Sequence, residues 1–319
     1  MRFIRGVALA LAFTAMAAAS APPAPKPQSA FAVAMLRRDG VLVPFAVHDR
    51  GRWSAPWPAP GYRLEAPLTF EAIQRRWWGP ISPATTWIAW PTGQDPRAVH
   101  VRAPVVIPAH CLSTVGLQTD YRSPEIVPPP TQHHHPKDGV ATTGDQTIVP
   151  IEVLDVASPE SARTLGLLMP AIEKGEARVW VGGAWLPSPV PPGGSRPGPR
   201  WEVLCRSKAS PDGSDVYYFE TVRELRSRPG AKPNCNGAMI TQGFVLLGTK
   251  GPEKSLIFAT LTDCDRAEVD FGLPLGSLTV NGRHYWIMQF SGRGRERYAI
   301  VEVGGANPRF VVDVMGGGC

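Results

Sequence analysis

An Asn-Gly pair, Asn281–Gly282, separates two segments rich in strand-forming residues. Asn-Gly suits a type I′ turn, whose twist matches that of two antiparallel strands. In the segment that follows, Arg283–Phe290, a strand would place His284 and every second residue after it on one face. Tyr285 and every second residue after it would then lie on the opposite face. The sequence therefore predicts a β-hairpin at this position.

Turn signals of a similar kind recur along the chain. Asp39–Gly40 separates two apolar runs near the start, and Pro211–Gly213 separates two more in the C-terminal half. Proline and glycine, with 35 and 32 residues, occur more often than usual but below the level typical of disordered chains. Ten tryptophans and a hydrophobic content of 43% indicate a packed core. We therefore predict a mostly-β fold, built from antiparallel hairpins and meanders.

Two segments favour short helices within this β fold. Thr69 can cap a helix over Phe70–Trp78, which the following Gly-Pro pair ends. Ser158–Glu160 reads Ser-Pro-Glu, a cap followed by proline at the first helical position. The second helix is predicted to end near Leu168, because Pro170 lacks an N–H and clashes with the preceding turn.

One weak internal repeat bears on how the strands are arranged. Residues 51–61 and 183–193 both read Gly-x-Trp followed by alternating prolines and a glycine. A β-propeller produces such repeats, although the spacing here exceeds the length of one blade. The strands are therefore predicted to form either a propeller or two packed β subdomains.

The start of the chain indicates export. Arg2 and Arg5 precede a short uncharged run, and the small residues Ala17–Ala19 follow it, which is the pattern of a secretory signal peptide. We expect cleavage after residue 19 and a mature protein that is secreted or periplasmic. No later uncharged run is long enough to predict a transmembrane helix.

Composition divides the chain into five parts. Residues 1–19 are the predicted signal peptide, and residues 20–30 are a Pro-rich tether. A Trp- and Pro-rich β region, a Pro/His-rich loop and a C-terminal β meander region are predicted at 31–127, 128–146 and 147–319. The net charge of +6 loses two units with the signal peptide, and this mild excess gives no reason to expect a nucleic-acid partner.

Five cysteines follow the predicted cleavage site, and an exported protein is expected to pair an even number of them. Their connectivity does not follow from the sequence. Proximity along the chain favours the pairs Cys205–Cys235 and Cys264–Cys319. Cys111 is then expected to be the unpaired residue, buried as a small hydrophobe.

Three adjacent histidines, His133, His134 and His135, are the candidate metal ligands. Imidazole is a common ligand of zinc and copper, and two of the three side chains can face one ion from a loop. A solvated loop with weak metal affinity explains the same residues. We therefore expect no cofactor, with divalent zinc or copper at this loop as the alternative.

Tryptophans in proline-rich segments are the candidate ligand-binding residues. Exposed aromatic side chains stack on sugar rings or hold Pro-rich peptides. The alternative is that these tryptophans pack against prolines inside the fold. The candidates are Trp53, Trp57, Trp77, Trp78, Trp87, Trp90 and Trp185.

The sequence contains no Gly-x-Ser-x-Gly elbow, Ser-x-x-Lys, His-Glu-x-x-His or phosphate-binding loop motif. It therefore favours an exported, non-enzymatic binding protein whose tryptophans contact carbohydrate or cell-envelope material. One alternative is an exported hydrolase, either metal-assisted or dependent on scattered carboxylates. Another is a structural envelope protein without a small-molecule ligand. The sequence gives no basis for predicting an oligomeric state.

Overall fold

The computed structural model describes residues 29–61, 68–127, 136–182, 198–208, 214–226, 235–248, 251–305 and 307–319. This part of the protein is 57% strand and 10% helical, with antiparallel sheets, so the predicted mostly-β fold class is confirmed. The predicted signal peptide, residues 1–19, and most of the predicted tether lie outside the described residues.

Eight strands form a curled antiparallel sheet in the N-terminal half. They are β1 (Phe31–Arg37), β2 (Val41–Asp49), β3 (Arg52–Ser54), β4 (Trp87–Pro91), β5 (Arg97–Val99), β6 (Val101–Ala109), β7 (Leu112–Thr119) and β8 (Lys137–Thr143). Their order across the sheet is β5-β4-β8-β1-β2-β7-β6, and β3 pairs with β2.

Strand β8 lies within 128–146, the segment predicted to be a loop. Its polar residues and Gly139 are not typical of a strand, yet β8 pairs with β1 on one side and with β4 on the other. Backbone hydrogen bonds to two neighbours hold β8 in the sheet in spite of a composition that strands disfavour. The described part of 128–146 is therefore not only loop, and this part of the prediction is wrong.

Nine strands of the C-terminal half form two further antiparallel sheets. The outer sheet contains β9 (Glu152–Val153), β10 (Arg200–Lys208), β11 (Asp215–Arg226), β12 (Cys235–Gly248) and β13 (Gly251–Thr262), in the order β13-β12-β11-β10-β9. The middle sheet contains, in spatial order, β14 (Phe271–Val280), β15 (Arg283–Gly292), β16 (Arg295–Glu302) and β17 (Arg309–Gly318).

The middle sheet packs between the other two sheets. On one face of β15, Ile287 shares a core with Phe45 of the curled sheet. On its other face, Trp286 shares a core with Phe244 of the outer sheet, and the two rings meet edge to face with centroids 5.8 Å apart. A propeller consists of repeated blades of similar size, whereas these stacked sheets contain eight, four and five strands. The strands therefore form packed β layers and not a propeller.

Two helices accompany the sheets in the described part of the chain. Helix α1 (Arg75–Trp78) is a single turn, shorter than predicted, because residues 69–73 form separate turns before it. Helix α2 (Pro159–Gly182) covers the outer sheet and continues through Pro170, so its predicted end near residue 168 is wrong. Ile172, beyond that proline, is fully buried against the outer sheet. Burying this side chain contributes about 1.5–3 kcal/mol, which offsets much of the cost of about 3 kcal/mol for a helical proline.

A disulfide between Cys111 and Cys319 joins the curled sheet to the last strand of the middle sheet. The two residues meet because His110 and Gly318 form a parallel β-bridge. Both predicted pairings are therefore wrong, since Cys319 pairs with Cys111 and Cys205 is a buried free thiol. Cys264 is also disulfide-bonded, whereas the side chain of Cys235 is not among those described.

Neither helix in the described part of the chain has both the length and the apolar composition needed to cross a bilayer.

Candidate functional site

Six of the seven candidate tryptophans lie in the described ranges, and they pack into or against the cores. Trp57, Trp78 and Trp87 are buried in the core enclosed by the curled sheet. The remaining three are partly buried against a core. The predicted exposed platform does not form from these residues, because the curled sheet buries side chains on both of its faces. The six are Trp53, Trp57, Trp77, Trp78, Trp87 and Trp90; Trp185 lies outside the described residues.

The indole of Trp57 is held in a fixed orientation. Its Nε1–H donates to the carbonyl oxygen of Val115 at 2.9 Å. Its ring meets Trp78 edge to face, with centroids 5.6 Å apart. A buried indole with its one donor satisfied has little freedom to rotate.

Trp57 lines a cavity of about 140 Å³, which we call the Trp57 pocket. Its walls come from β2, from the segment 55–59 and from β17. Most of the lining is apolar, including Pro58 and the half-exposed Met315. Among the described lining residues, Thr114 and Tyr298 are those that carry hydroxyl groups. The pocket is therefore a largely apolar site with few polar contacts, as small-molecule sites commonly are.

A much smaller cavity, of about 10 Å³, adjoins the Trp57 pocket and shares Thr114 and Tyr298 with it. We call it the Lys137 chamber; its volume is enough for about one water molecule. Lys137 and Glu296 form an ion pair there, with Nζ and Oε1 2.8 Å apart and side chains only 3% and 4% exposed. Arg37 also lines the chamber and pairs with a carboxylate, that of Asp39, at 2.6 Å.

Tyr298 connects the two cavities. Its ring lines both of them, and its hydroxyl donates a hydrogen bond to Glu296. Burial, and then the charge of Glu296, raise the pKa of Tyr298 well above its usual value, so the phenol stays protonated and remains a donor. Burial lowers the pKa of Lys137, and the opposite charge of Glu296 counteracts this effect.

A second polar group lies between the outer and middle sheets. The Oγ atom of Ser207 is 3.2 Å from Nε2 of His284, and Oγ1 of Thr279 is 3.3 Å from Nδ1 of the same ring. The indole N–H of Trp286 donates to Ser207 Oγ at 2.8 Å. That indole can only donate, so the hydroxyl hydrogen of Ser207 is free to point to Nε2; in the tautomer that carries its hydrogen on Nδ1, Nε2 accepts from Ser207 and Nδ1–H donates to Thr279.

This group resembles the arrangement that activates a serine nucleophile, in which a base contacts the serine and a third residue orients the base. Burial lowers the pKa of His284, which keeps the imidazole neutral near pH 7 and able to accept a proton. Local sequence motifs could not reveal it, because Ser207 comes from β10 while His284 comes from β15. Only the packing of the two sheets brings them together.

The candidate metal ligands His133, His134 and His135 lie outside the described residues. Within the described ranges, no three side chains of the metal-binding types lie close enough together to hold an ion. The alternative of zinc or copper at the histidine loop stays a prediction.

Comparison with known proteins adds no residue to these sites. No protein family model, no curated protein and no solved structure is detectably similar to this chain. The function of each site must therefore be inferred from its own geometry.

Proposed function

We propose that this protein is an exported, non-enzymatic binding protein whose ligand places a small apolar group in the Trp57 pocket. The observation that carries the proposal is a preformed, mostly apolar cavity of about 140 Å³. An apolar protein cavity of about 150 Å³ accommodates a benzene-sized molecule. A single ring or a short branched chain therefore matches the pocket in size.

The walls of the pocket favour binding because they are already ordered. Trp57 is fixed by Val115 and Trp78, and the rings of Phe45 and Tyr298 lie with centroids 5.6 Å apart. A ligand that meets such walls has little side-chain entropy to remove. The flexible side chain of Met315, 53% exposed, can adapt to the part of the ligand that projects outwards.

The polar end of the pocket limits the chemistry of the ligand. Lys137 is paired with Glu296, and Arg37 with Asp39, so the charges behind the pocket balance. An uncharged group is therefore favoured over an anion or a cation. The predicted carbohydrate or cell-envelope ligand stays a prediction; a sugar would have to place its apolar face in the pocket.

Export is supported by the Cys111–Cys319 disulfide. Structural disulfides persist in oxidising compartments and are rare where thiols are kept reduced. This agrees with the predicted secreted or periplasmic location.

Two-dimensional NMR titration tests the binding proposal with three probes: benzene, p-cresol and methyl β-glucoside. We expect benzene and p-cresol to shift the signals of residues around Trp57 in a saturable way. Ala59→Phe places a ring at the rim of the pocket and should abolish these shifts. Ala98→Phe, on the exposed edge strand β5, is the matched control and should leave them unchanged.

Two results would contradict the proposal. One is the absence of saturable shifts with benzene and p-cresol, and the other is equal binding by the Ala59→Phe variant. A response to methyl β-glucoside alone, lost in the same variant, would replace the apolar ligand by a carbohydrate. The absence of saturable shifts with all three probes would favour the alternative of a structural envelope protein.

A second candidate function, an exported hydrolase, is supported by the contact between Ser207 and His284. In this reaction Ser207 Oγ attacks the carbonyl carbon of an ester while its proton moves to His284 Nε2. The bond from carbon to the leaving oxygen breaks, and that oxygen takes the proton. Water, deprotonated by the same nitrogen, then cleaves the acyl-serine and restores the enzyme.

A fluorophosphonate probe tests this second function, because an activated serine displaces fluoride from its phosphorus. We expect one label, mapped to Ser207 and lost in Ser207→Ala. His284→Gln should slow labelling at least about a hundredfold, since a general base typically contributes that much. Ser54→Ala, an exposed serine of β3, is the control. Absence of labelling, or an unchanged rate in His284→Gln, would reject the hydrolase.

A further inference from the structure

A groove of about 480 Å³ lies between α2 and the edge strand β13, where Asn307 of the β16–β17 loop also lines it. Three cationic side chains line it, Lys174 and Arg178 from α2 and Lys254 from β13. We call it the basic groove. No described residue lines both this groove and the Trp57 pocket, and the groove's volume falls within the range of small-molecule sites.

The two helical cations stand on one side of α2. They are four residues apart, so they lie one above the other, separated by about 6 Å along the helix axis. Gly175, between them, lets the helix approach β13: a Cβ atom there would come within 2.7 Å of the Ile257 side chain. This close approach forms the floor of the groove, and the long side chains of Lys174 and Arg178 flank it.

These cations are available to a ligand. Of the three acids of α2, Glu160 pairs with Arg206 and Glu176 pairs with Arg223, while Glu173 is exposed to solvent. Among the described residues, Lys174 and Arg178 have no carboxylate partner, and both are exposed.

The opposite wall completes a positive site. Lys254 donates to the carbonyl oxygen of Gly305 at 3.1 Å, which positions the ammonium without neutralising it. Among the described residues, Glu253 is the one acid that lines the groove, and its carboxylate lies over Gly248. Three cations against one carboxylate leave an excess of two positive charges. Ser255 and Asn307 add neutral hydrogen-bond donors.

We propose that the basic groove binds a ligand with two linked phosphoryl groups. A diphosphate carries at least two negative charges, which complements the excess positive charge of the groove. Its many oxygen atoms can accept hydrogen bonds from two ammonium groups and a guanidinium at once, and the guanidinium can bind two of them together. The source of this chemistry is either a free diphosphate or a lipid with a diphosphate headgroup. This proposal does not depend on the function of the Trp57 pocket.

Isothermal titration calorimetry with inorganic pyrophosphate tests the proposal on the full mature chain. We expect saturable binding that weakens between 50 and 200 mM salt, because screening acts strongly on exposed charges. The double substitution Lys174→Gln with Arg178→Gln should weaken binding at least about tenfold, since two charge-assisted contacts are lost. Arg163→Gln, which removes an exposed charge from α2 outside the groove, should have little effect.

Three results would overturn the proposal. They are no binding at 50 mM salt, an equal loss of affinity in Arg163→Gln, and orthophosphate binding as tightly as pyrophosphate. If the double variant unfolds, Lys254→Gln on the opposite wall provides the same comparison. Flotation with phosphatidylcholine vesicles, with and without a lipid that carries a diphosphate headgroup (diacylglycerol pyrophosphate), identifies the source. Binding only to the acidic vesicles assigns a lipid headgroup, and binding to neither assigns the free diphosphate.

Discussion

The buried ion pair between Lys137 and Glu296 provides the most demanding test of this structure. Glu296→Gln preserves the shape of the side chain but removes the negative charge that pairs with the ammonium of Lys137. At the observed separation of 2.8 Å, the attraction lost is about 6 kcal/mol for an effective dielectric constant of about 20. The amide oxygen still accepts hydrogen bonds, so the net loss should fall near the 3–5 kcal/mol or so typical of a broken buried pair.

The pH dependence of this variant adds a second observable. Burial lowers the pKa of Lys137 in the folded protein below its unfolded value, and removal of Glu296 lowers it further. Between the folded and the unfolded pKa the unfolded chain binds more protons, so the stability of the variant should rise as the pH is raised. Part of the lost stability should therefore return in alkaline buffer.

Urea unfolding at several pH values measures both effects. Glu173→Gln, an exposed acid on α2, is the control and should change the free energy of unfolding by less than about 0.5 kcal/mol. A loss below about 1 kcal/mol in Glu296→Gln would refute the inference that this buried pair makes a large contribution to stability. If Glu296→Gln loses about 3–5 kcal/mol at neutral pH and regains none of it in alkaline buffer, the buried charge of Lys137 is not the cause of the loss.

Three other changes test different parts of the fold. Replacing Cys111 and Cys319 by serine removes a crosslink between residues 208 positions apart and should lower the free energy of unfolding in urea by about 2–5 kcal/mol. Equal urea midpoints for the oxidised wild type and the variant would contradict this. Pro170→Ala restores a helical N–H within α2 and should raise the free energy of unfolding by about 1–3 kcal/mol. A decrease would mean that the packing of Pro170 stabilises the helix more than the missing hydrogen bond destabilises it. Burial lowers the pKa of His284 in the folded protein below its usual value of 6.5. The unfolded chain therefore binds more protons below that pH, and the free energy of unfolding falls on acidification. Between pH 7.5 and 5 this free energy should depend less on pH in His284→Gln than in the wild type, and an equal pH dependence would contradict the burial of a neutral His284.

Local chemistry made part of the fold predictable. Asn281 and Gly282 adopt positive φ angles of 51° and 74°, as the two central residues of a type I′ turn require. The strands on either side pair from Val280 and Arg283 onwards, in the predicted hairpin. The Ser158 cap likewise begins α2, where its Oγ accepts from the backbone N–H of Ser161 at 3.1 Å. These signals act within a few residues, so the sequence contains them completely.

Contacts between distant segments were not predictable in this way. The Cys111–Cys319 pairing depends on a bridge between His110, which lies between β6 and β7, and Gly318 of β17, and no local pattern encodes it. The burial of Trp57 and Trp87 follows from a curled sheet that encloses a core on one face while the other face packs on a second sheet. Strand periodicity separates the two faces of a strand, but it does not reveal whether each face meets solvent or another layer.

The sites share this non-local origin, and Tyr298 illustrates it. Its ring forms a wall of the Trp57 pocket, while its hydroxyl donates to Glu296 beside Lys137. The proposed binding function needs the ring, whereas the buried ion pair needs the hydroxyl. Tyr298→Phe therefore separates the two roles: it keeps the apolar wall but removes one donor from a buried carboxylate, which should cost about 1–3 kcal/mol of stability. Benzene affinity should stay within a few fold of the wild type, and a large loss would mean that the pocket binds its ligand through the phenol group.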